Sequence, residues 1–473
     1  SRGLGDVYKR QVFSSITFLY FFLPAVLLIY YISPKKIKNI VLLLSGLFFY
    51  AWGEPVYVVI MIFSSFIDYA AGLIIDKYDD NQKKRTAALL VSLIINLGLL
   101  GVFKYSGFFA GIFGIEIKQL PLPIGISFYT FQSMSYTIDM YMRKIKVQRS
   151  FLNFATYVSL FPQIVAGPIV RYEDVQNEID SRKTNIFLLG EGAGIFVRGL
   201  SKKVLLANNI GLLWTEIKGM EYSELSAATA WIGILAFTFQ IYYDFSGYSD
   251  MAVGLGKMLG FNFPENFDHP YISRSVSEFW RRWHITLGSW FKSYVYIPLG
   301  GNRCGKLKTL RNTLIVWGLT GFWHGASWNF IIWGLYFGGF IILEKIWLGK
   351  KLERLPSLLS IFYTFFIVVI GWVLFDTANL SSAGEFYKAM FGGNGKLFDS
   401  IAFYELKNYA LIFLLCIIGS GNFMKNLYDK LKRSFSMSKV LSNVMPLVQT
   451  AMMLICTAFL VDASYNPFLY FRF

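Results

Sequence analysis

The chain has 473 residues, of which 55% are hydrophobic and only 16% charged, with a mean hydropathy of +0.47. Soluble domains carry roughly 25% charged residues, so these values exclude an ordinary soluble enzyme and point to a polytopic membrane protein. The formal charge of +16 lies in short loops between apolar runs, where the positive-inside rule accounts for it and nucleic-acid binding is not expected.

Residues 1–11, SRGLGDVYKRQ, are polar and unlike the apolar run that begins at Val12. They read as a non-native leader ahead of a single membrane domain over 12–473. Residues 13–32 form the first apolar span, and Lys35, Lys36 and Lys38 after it mark the cytoplasmic side. Spans are predicted over 40–51, 56–75 and 87–103, then over 122–141 ahead of Arg143, Lys144, Lys146 and Arg149. Residues 151–170 are interrupted by Pro162 and by Gly167-Pro168. Such breaks are tolerated at membrane depth only where protein or a water-filled cavity satisfies the freed backbone, so this segment reads as re-entrant or cavity-lining.

Residues 186–213 are amphipathic, with Arg198, Lys202 and Lys203, and suit an interfacial helix. A span over 227–243 runs into YYDFSGYSD, followed by the most polar region, 262–311, which is expected in the cytoplasm. Beyond residue 344, spans over 358–375, 409–423 and 444–461 are separated by a mixed loop, 376–407, and a basic loop, 425–439. The whole reads as an all-α bundle of about 10–12 transmembrane or re-entrant helices. No repeat period marks an inverted-repeat transporter.

The stretch between Arg311 and Glu344 holds 32 uncharged residues with one imidazole, His324, flanked by Trp323 and Trp328 and by Gly321 and Gly325. Ionisable groups inside membrane segments are costly and point to function. With basic residues at both ends, the stretch is expected to fold back as a hairpin near its glycines. At 1.5 Å per residue, thirteen helical residues carry His324 roughly 20 Å beyond Arg311, past the middle of a ~30 Å core. A buried neutral imidazole can accept a proton from a hydroxyl, which makes His324 the candidate base.

His284, in FWRRWH, is the second candidate, and Arg281 and Arg282 beside it suit the phosphates of an acyl donor. Trp283 shares that motif. Asn329 and the Trp323 N–H are candidate oxyanion donors. Asp244 and Ser246 are either functional or helix caps. His269, before Pro270 in a loop, reads as structural, and Gly334–Gly338 as a close helix contact. Cys304, Cys416 and Cys456 are widely spaced, so neither a disulfide framework nor a metal site is supported. No Gly-x-Ser-x-Gly elbow suggests a serine acyl-enzyme.

Phe279-Trp-Arg-Arg-Trp-His284 followed by Gly321-Phe-Trp-His324-Gly-Ala-Ser-Trp-Asn resembles the membrane-bound O-acyltransferases. Tyr243-Asp-Phe-Ser-Gly-Tyr-Ser-Asp, Tyr296-Ile-Pro-Leu-Gly-Gly-Asn and Asn466-Pro-Phe-Leu-Tyr-Phe-Arg-Phe are similar to their bacterial alginate O-acetyltransferase branch. The resemblance implies helices around a central funnel in the bacterial inner membrane, with His324 and His284 as the active-site histidines. It further implies a cytoplasmic acyl thioester, acetyl-CoA first, as donor, with no permanently bound cofactor or metal. The acceptor would be an extracytoplasmic polysaccharide, reached through a partner protein. D-alanyl transfer to teichoic acid is the nearest alternative. A solute transporter and a scaffold without chemistry are the alternatives of other classes.

Overall fold

The computed structural model describes residues 13–118, 120–165, 167–433, 435–462 and 468–469. The expected leader and most of the C-terminal motif at 466–473 therefore lie outside the described residues. Among those described, the secondary structure is helical apart from one isolated bridge, Phe267 to Trp283. Six helices are long and apolar enough to cross a bilayer: Val58–Lys77, Gln82–Ile112, Trp328–Arg354, Ser357–Asp376, Ser400–Ser420 and Met437–Asp462. Phe18–Ile32 is a shorter apolar helix. The chain groups into two compact units.

The first unit comprises residues up to 199 with 248–265 and 460–472. It contains α1 (Phe18–Ile32), α2 (Lys38–Gly53), α3 (Val58–Lys77), α4 (Gln82–Ile112), α5 (Ile126–Tyr141), α6 (Phe151–Ser159), α7 (Tyr172–Asp180) and most of α8 (Ile186–Ser201). Helix α5 is buried on almost every side and tied to its neighbours by polar contacts. Asp68 Oδ1 on α3 accepts from Ser92 Oγ (2.5 Å) and Asn96 Nδ2 (2.8 Å) on α4, and from Thr137 Oγ1 (3.2 Å) on α5. Hydrogen-bond donors of this kind offset the cost of a polar group buried among apolar side chains.

Helix α6 begins at Ser150, whose Oγ accepts from Asn153 N–H (3.3 Å), and ends before Leu160. Residues 160–165 and 167–170 after it are non-helical and buried, as Pro162 and Pro168 require. Protein groups satisfy part of the backbone here. Tyr157 Oη donates to the Val170 carbonyl (3.0 Å), and Gln163 Nε2 donates to the Tyr157 carbonyl (2.6 Å).

The second unit comprises residues 200–247 and 266–459. It holds α9 (Asn208–Lys218), α10 (Ala227–Met258, whose last residues belong to the first unit), α11 (Val276–Arg282), α12 (Ile285–Phe291), α13 (Lys306–His324), α14 (Trp328–Leu343), α15 (Ser357–Asp376), α16 (Leu380–Met390), α17 (Ser400–Ser420), α18 (Phe423–Lys432) and nearly all of α19 (Phe435–Asp462). Two polar regions outside the predicted spans contain helices. The polar region after residue 262 contains α11 and α12, and α11 is capped by Ser275 Oγ accepting from Glu278 N–H (3.0 Å). The mixed loop after Asp376 contains α16 and the start of α17, capped by Asn379 and Asp399 accepting from Ser382 and Ala402 N–H groups, each at 2.8 Å. Capping chemistry, not apolar content, starts α11, α16 and α17.

Candidate active site

The predicted hairpin is present. Helix α13 ends at His324, Gly325–Ser327 turn the chain, and α14 returns. The two helices approach to backbone contact. A Cβ on Gly321 would lie 2.1 Å from the Phe330 carbonyl oxygen, and one on Gly334 would lie 2.2 Å from the Trp317 carbonyl oxygen. Gly338 faces the Trp317 side chain, so the GxxxG is a close helix contact. At the tip, a Cβ on Gly325 would overlap the Phe330 ring at 2.2 Å. Asn329 Nδ2 donates to the Thr377 carbonyl (2.8 Å), pinning the tip to the end of α15.

His324 is buried in an aromatic frame. Its ring lies 5.0 Å from Trp323, 5.0 Å from Trp333 and 5.4 Å from Phe375, all near-perpendicular. Edge-to-face contacts of this sort fix the plane of the imidazole. Toward the start of α13, Thr320, Trp317, Val316 and Thr313 share one helical stripe with His324 and line the same cavity.

The opposite wall is α11 and α12. Glu344, the residue that closes the apolar stretch, holds α11 in place. Its buried carboxylate accepts from Val276 N–H (2.6 Å), Ser277 N–H (2.9 Å) and Ser277 Oγ (2.7 Å). A carboxylate at a helix N-terminus also meets the positive end of the helix dipole. Helix α11 then delivers Trp280, Arg281 and Trp283 to the cavity.

His284 lies between α11 and α12 with φ +47, a left-handed backbone that non-glycine residues adopt at a cost. Residues 266–268 hold it there. The Asn266 carbonyl accepts from Ile285 N–H (3.0 Å), and Asp268 N–H donates to the Arg282 carbonyl (2.9 Å). The ring packs perpendicular to Phe245 at 4.7 Å and 6.1 Å from Trp323, which touches both histidines. Burial pushes the His284 imidazole down to about 3, so it is neutral at physiological pH.

Both histidines line one cavity of about 540 Å³. Arg281, Lys292 and Lys345 are exposed lining residues, and among the described residues no acidic side chain lines it. Lys345 Nζ donates to Asn302 Oδ1 (2.6 Å), which also accepts from Tyr296 Oη (2.6 Å). The cavity therefore combines cationic groups, an apolar wall containing Trp280, Trp317 and Leu287, and two imidazoles. Such a lining suits a molecule with both an anionic and an apolar part.

Five predicted site residues lie outside the cavity lining. Arg282 is turned away, because it pairs with Glu278 (2.9 Å) and Asp268 (3.7 Å). Asn329 donates one of its two amide N–H groups to the Thr377 carbonyl and does not line the cavity. Asp244 is neither a cap nor a cavity residue: it sits inside α10 in a buried ion pair with Lys203. Ser246 is buried on the same helix. Trp323 bridges the two histidine rings from behind the lining. His269 contacts Asp268 Oδ1 at 3.1 Å and does not line the cavity either. Sequence reasoning missed Glu344, Asn266 and Lys345. Glu344 carried a signal, since it is the acid that ends an apolar run; Asn266 carried none. Among the described residues, no cluster of three or more His, Cys, Asp or Glu could hold a metal.

An all-helical membrane protein with two imidazoles on one cation-rimmed cavity has the parts of an acid–base transferase. The chain belongs to the membrane-bound O-acyltransferase family, whose description matches residues 143–375, and it is an O-acyltransferase. It is 36% identical to the "Probable alginate O-acetylase AlgI" of Pseudomonas putida over 98% of this chain and 100% of the relative. It is 36% identical to the "Peptidoglycan O-acetyltransferase" of Helicobacter pylori over 81% of this chain and 80% of that protein. The "Teichoic acid D-alanyltransferase" of Streptococcus thermophilus is 29% identical over 54% of this chain and 68% of its own length.

Proposed function

We propose that the protein moves an acetyl group from acetyl-CoA, bound from the cytoplasm, to a hydroxyl of an extracytoplasmic polysaccharide at the bacterial inner membrane. A partner protein completes delivery on the outer side. One observation carries this reading: His284 and His324, forty residues apart in the chain, line a single cavity with Arg281, Lys292 and Lys345. Cations suit the phosphates of a nucleotide thioester, and the Trp280–Trp317 wall suits its pantetheine arm.

In the mechanism, His324 takes the proton of the acceptor hydroxyl as the oxygen attacks the thioester carbonyl. The tetrahedral adduct collapses with cleavage of the C–S bond, and the leaving thiolate takes the proton back from the imidazolium. The products are the O-acetyl ester and free CoA thiol, and His324 returns to its neutral form. Acetyl is favoured over D-alanyl because the relatives named for O-acetylation match far more of the chain than the D-alanyl transferase does.

The test uses purified protein, labelled acetyl-CoA and a supplied acceptor. Wild-type protein releases CoA, whereas His324→Ala keeps its fold and loses acyl transfer. Full transfer by His324→Ala would overturn the mechanism, and solute flux without thioester turnover would replace it with transport.

A further inference from the structure

Asn266 meets the histidine segment with side chain as well as backbone. Its Oδ1 accepts from Thr286 N–H (3.2 Å) and Thr286 Oγ1 (2.8 Å), and His284 Nδ1 lies 3.2 Å from the same oxygen. Amide oxygens and nitrogens are assigned from such networks. Here the assignment is forced, because a backbone N–H can only donate. The atom facing Thr286 N–H is therefore the oxygen, and the histidine nitrogen facing that oxygen must carry a proton. Asn266 Nδ2 is buried and has no acceptor among the described residues, so the amide leaves its own N–H groups without an acceptor to keep its oxygen turned to His284. A neutral imidazole carries one N–H and one lone pair.

We propose that Asn266 is a positioning residue that locks His284 as the Nδ1–H tautomer, so that Nε2 offers a lone pair to substrate in the cavity. Three features serve this end together: the left-handed backbone at His284, the Asn266 carbonyl bond to Ile285, and the Asn266 side chain. The Phe245 ring, perpendicular at 4.7 Å, holds the plane of the imidazole. Asn266 acts through the histidine, since the partner of one ring nitrogen decides what the other can do. In the acyl transfer proposed above, on which this inference rests, Nε2 of His284 accepts a hydrogen bond from a neighbouring hydroxyl of the acceptor sugar and so orients the sugar, while His324 takes the proton of the attacking hydroxyl.

The chain has only three histidines, which makes the tautomer directly readable. Full-length protein with ¹⁵N-labelled histidine, in lipid at neutral pH, is compared with His284→Gln to assign the His284 signals. Wild type is expected to show a protonated Nδ1 and a bare Nε2; a protonated Nε2 overturns the proposal. Asn266→Ala is expected to release the tautomer and lower kcat at least tenfold with KM for acetyl-CoA within twofold. Asn266→Asp, which keeps an acceptor oxygen, restores the Nδ1–H signal. An Asn266→Ala spectrum identical to wild type also overturns it. The spectra report the tautomer whatever reaction is catalysed, so failure here is separable from failure of the acyl-transfer reading, which rests on His324→Ala.

Discussion

Replacing Gly334 with alanine places a methyl group against backbone. Its Cβ would lie 2.2 Å from the Trp317 carbonyl oxygen and within 3.1 Å of the Gly321 Cα. Ordinary contact starts at 3.4 Å, and neither neighbour is a flexible side-chain end, so α13 and α14 must part by about 1 Å. Overpacking of that kind costs about 1–3 kcal/mol. The strain falls on Trp317 and Gly321, in the last two turns of the helix that ends at His324, and a misplacement of about 1 Å at a reacting group can lower turnover on the order of 100-fold. Gly339→Ala on the same helix is the control, since nothing lies within 4 Å of its Cβ; removing a glycine there should be neutral or stabilise by up to about 1 kcal/mol. Thermal unfolding in detergent and initial rates of CoA release read both effects. Gly334→Ala should melt several degrees lower and lose most activity, while Gly339→Ala keeps both. Unchanged melting and full turnover in Gly334→Ala would refute the backbone contact between these helices.

Two further expectations concern the opposite wall. Glu344→Ala leaves the N–H groups of Val276 and Ser277 without their acceptor, at about 1–3 kcal/mol each, and loosens the helix that carries Arg281. The melting point should fall and KM for acetyl-CoA should rise, with Glu344→Gln intermediate; unaltered values would show that this carboxylate does not anchor α11. The second expectation concerns pH. His284 is held near 3 when folded, by burial, against about 6.5 when unfolded. Between those values the unfolded chain binds the extra proton, so the stability His284 contributes is complete above about 6.5 and declines as pH falls toward 3, by at most about 1.4 kcal/mol per pH unit. Melting curves at pH 7.5, 6 and 5 should therefore show a drop that His284→Gln diminishes. A drop of equal size in the variant would remove His284 as its source.

Much of the fold was readable because a bilayer imposes simple demands. Apolar length, basic loops and prolines anticipated the break after Ser159 and the hairpin at Gly325, each of which follows from one local property. Helix starts made by caps were missed: α16 begins at Asn379 within a stretch whose polarity suggested a loop, and the helix predicted from residue 409 begins at Asp399 in the same stretch. Residues whose partners lie far along the chain were also misplaced. Asp244 looked like a cap or a ligand, yet Lys203, on a different helix, claims it. Asn329 looked like a residue of the site, yet it lies off the cavity lining with one amide N–H on the Thr377 carbonyl.

His324 could be singled out from sequence because a lone imidazole in an apolar stretch is costly wherever the stretch goes. His284 could be suspected from the same Trp–His setting. That the two face one cavity, that Glu344 holds the helix leading to His284 and that Asn266 grips His284 were decided only by tertiary structure. These contacts span 18 to 68 residues of sequence, and pairing at such distance is set by how helices pack, which no local pattern of residues encodes.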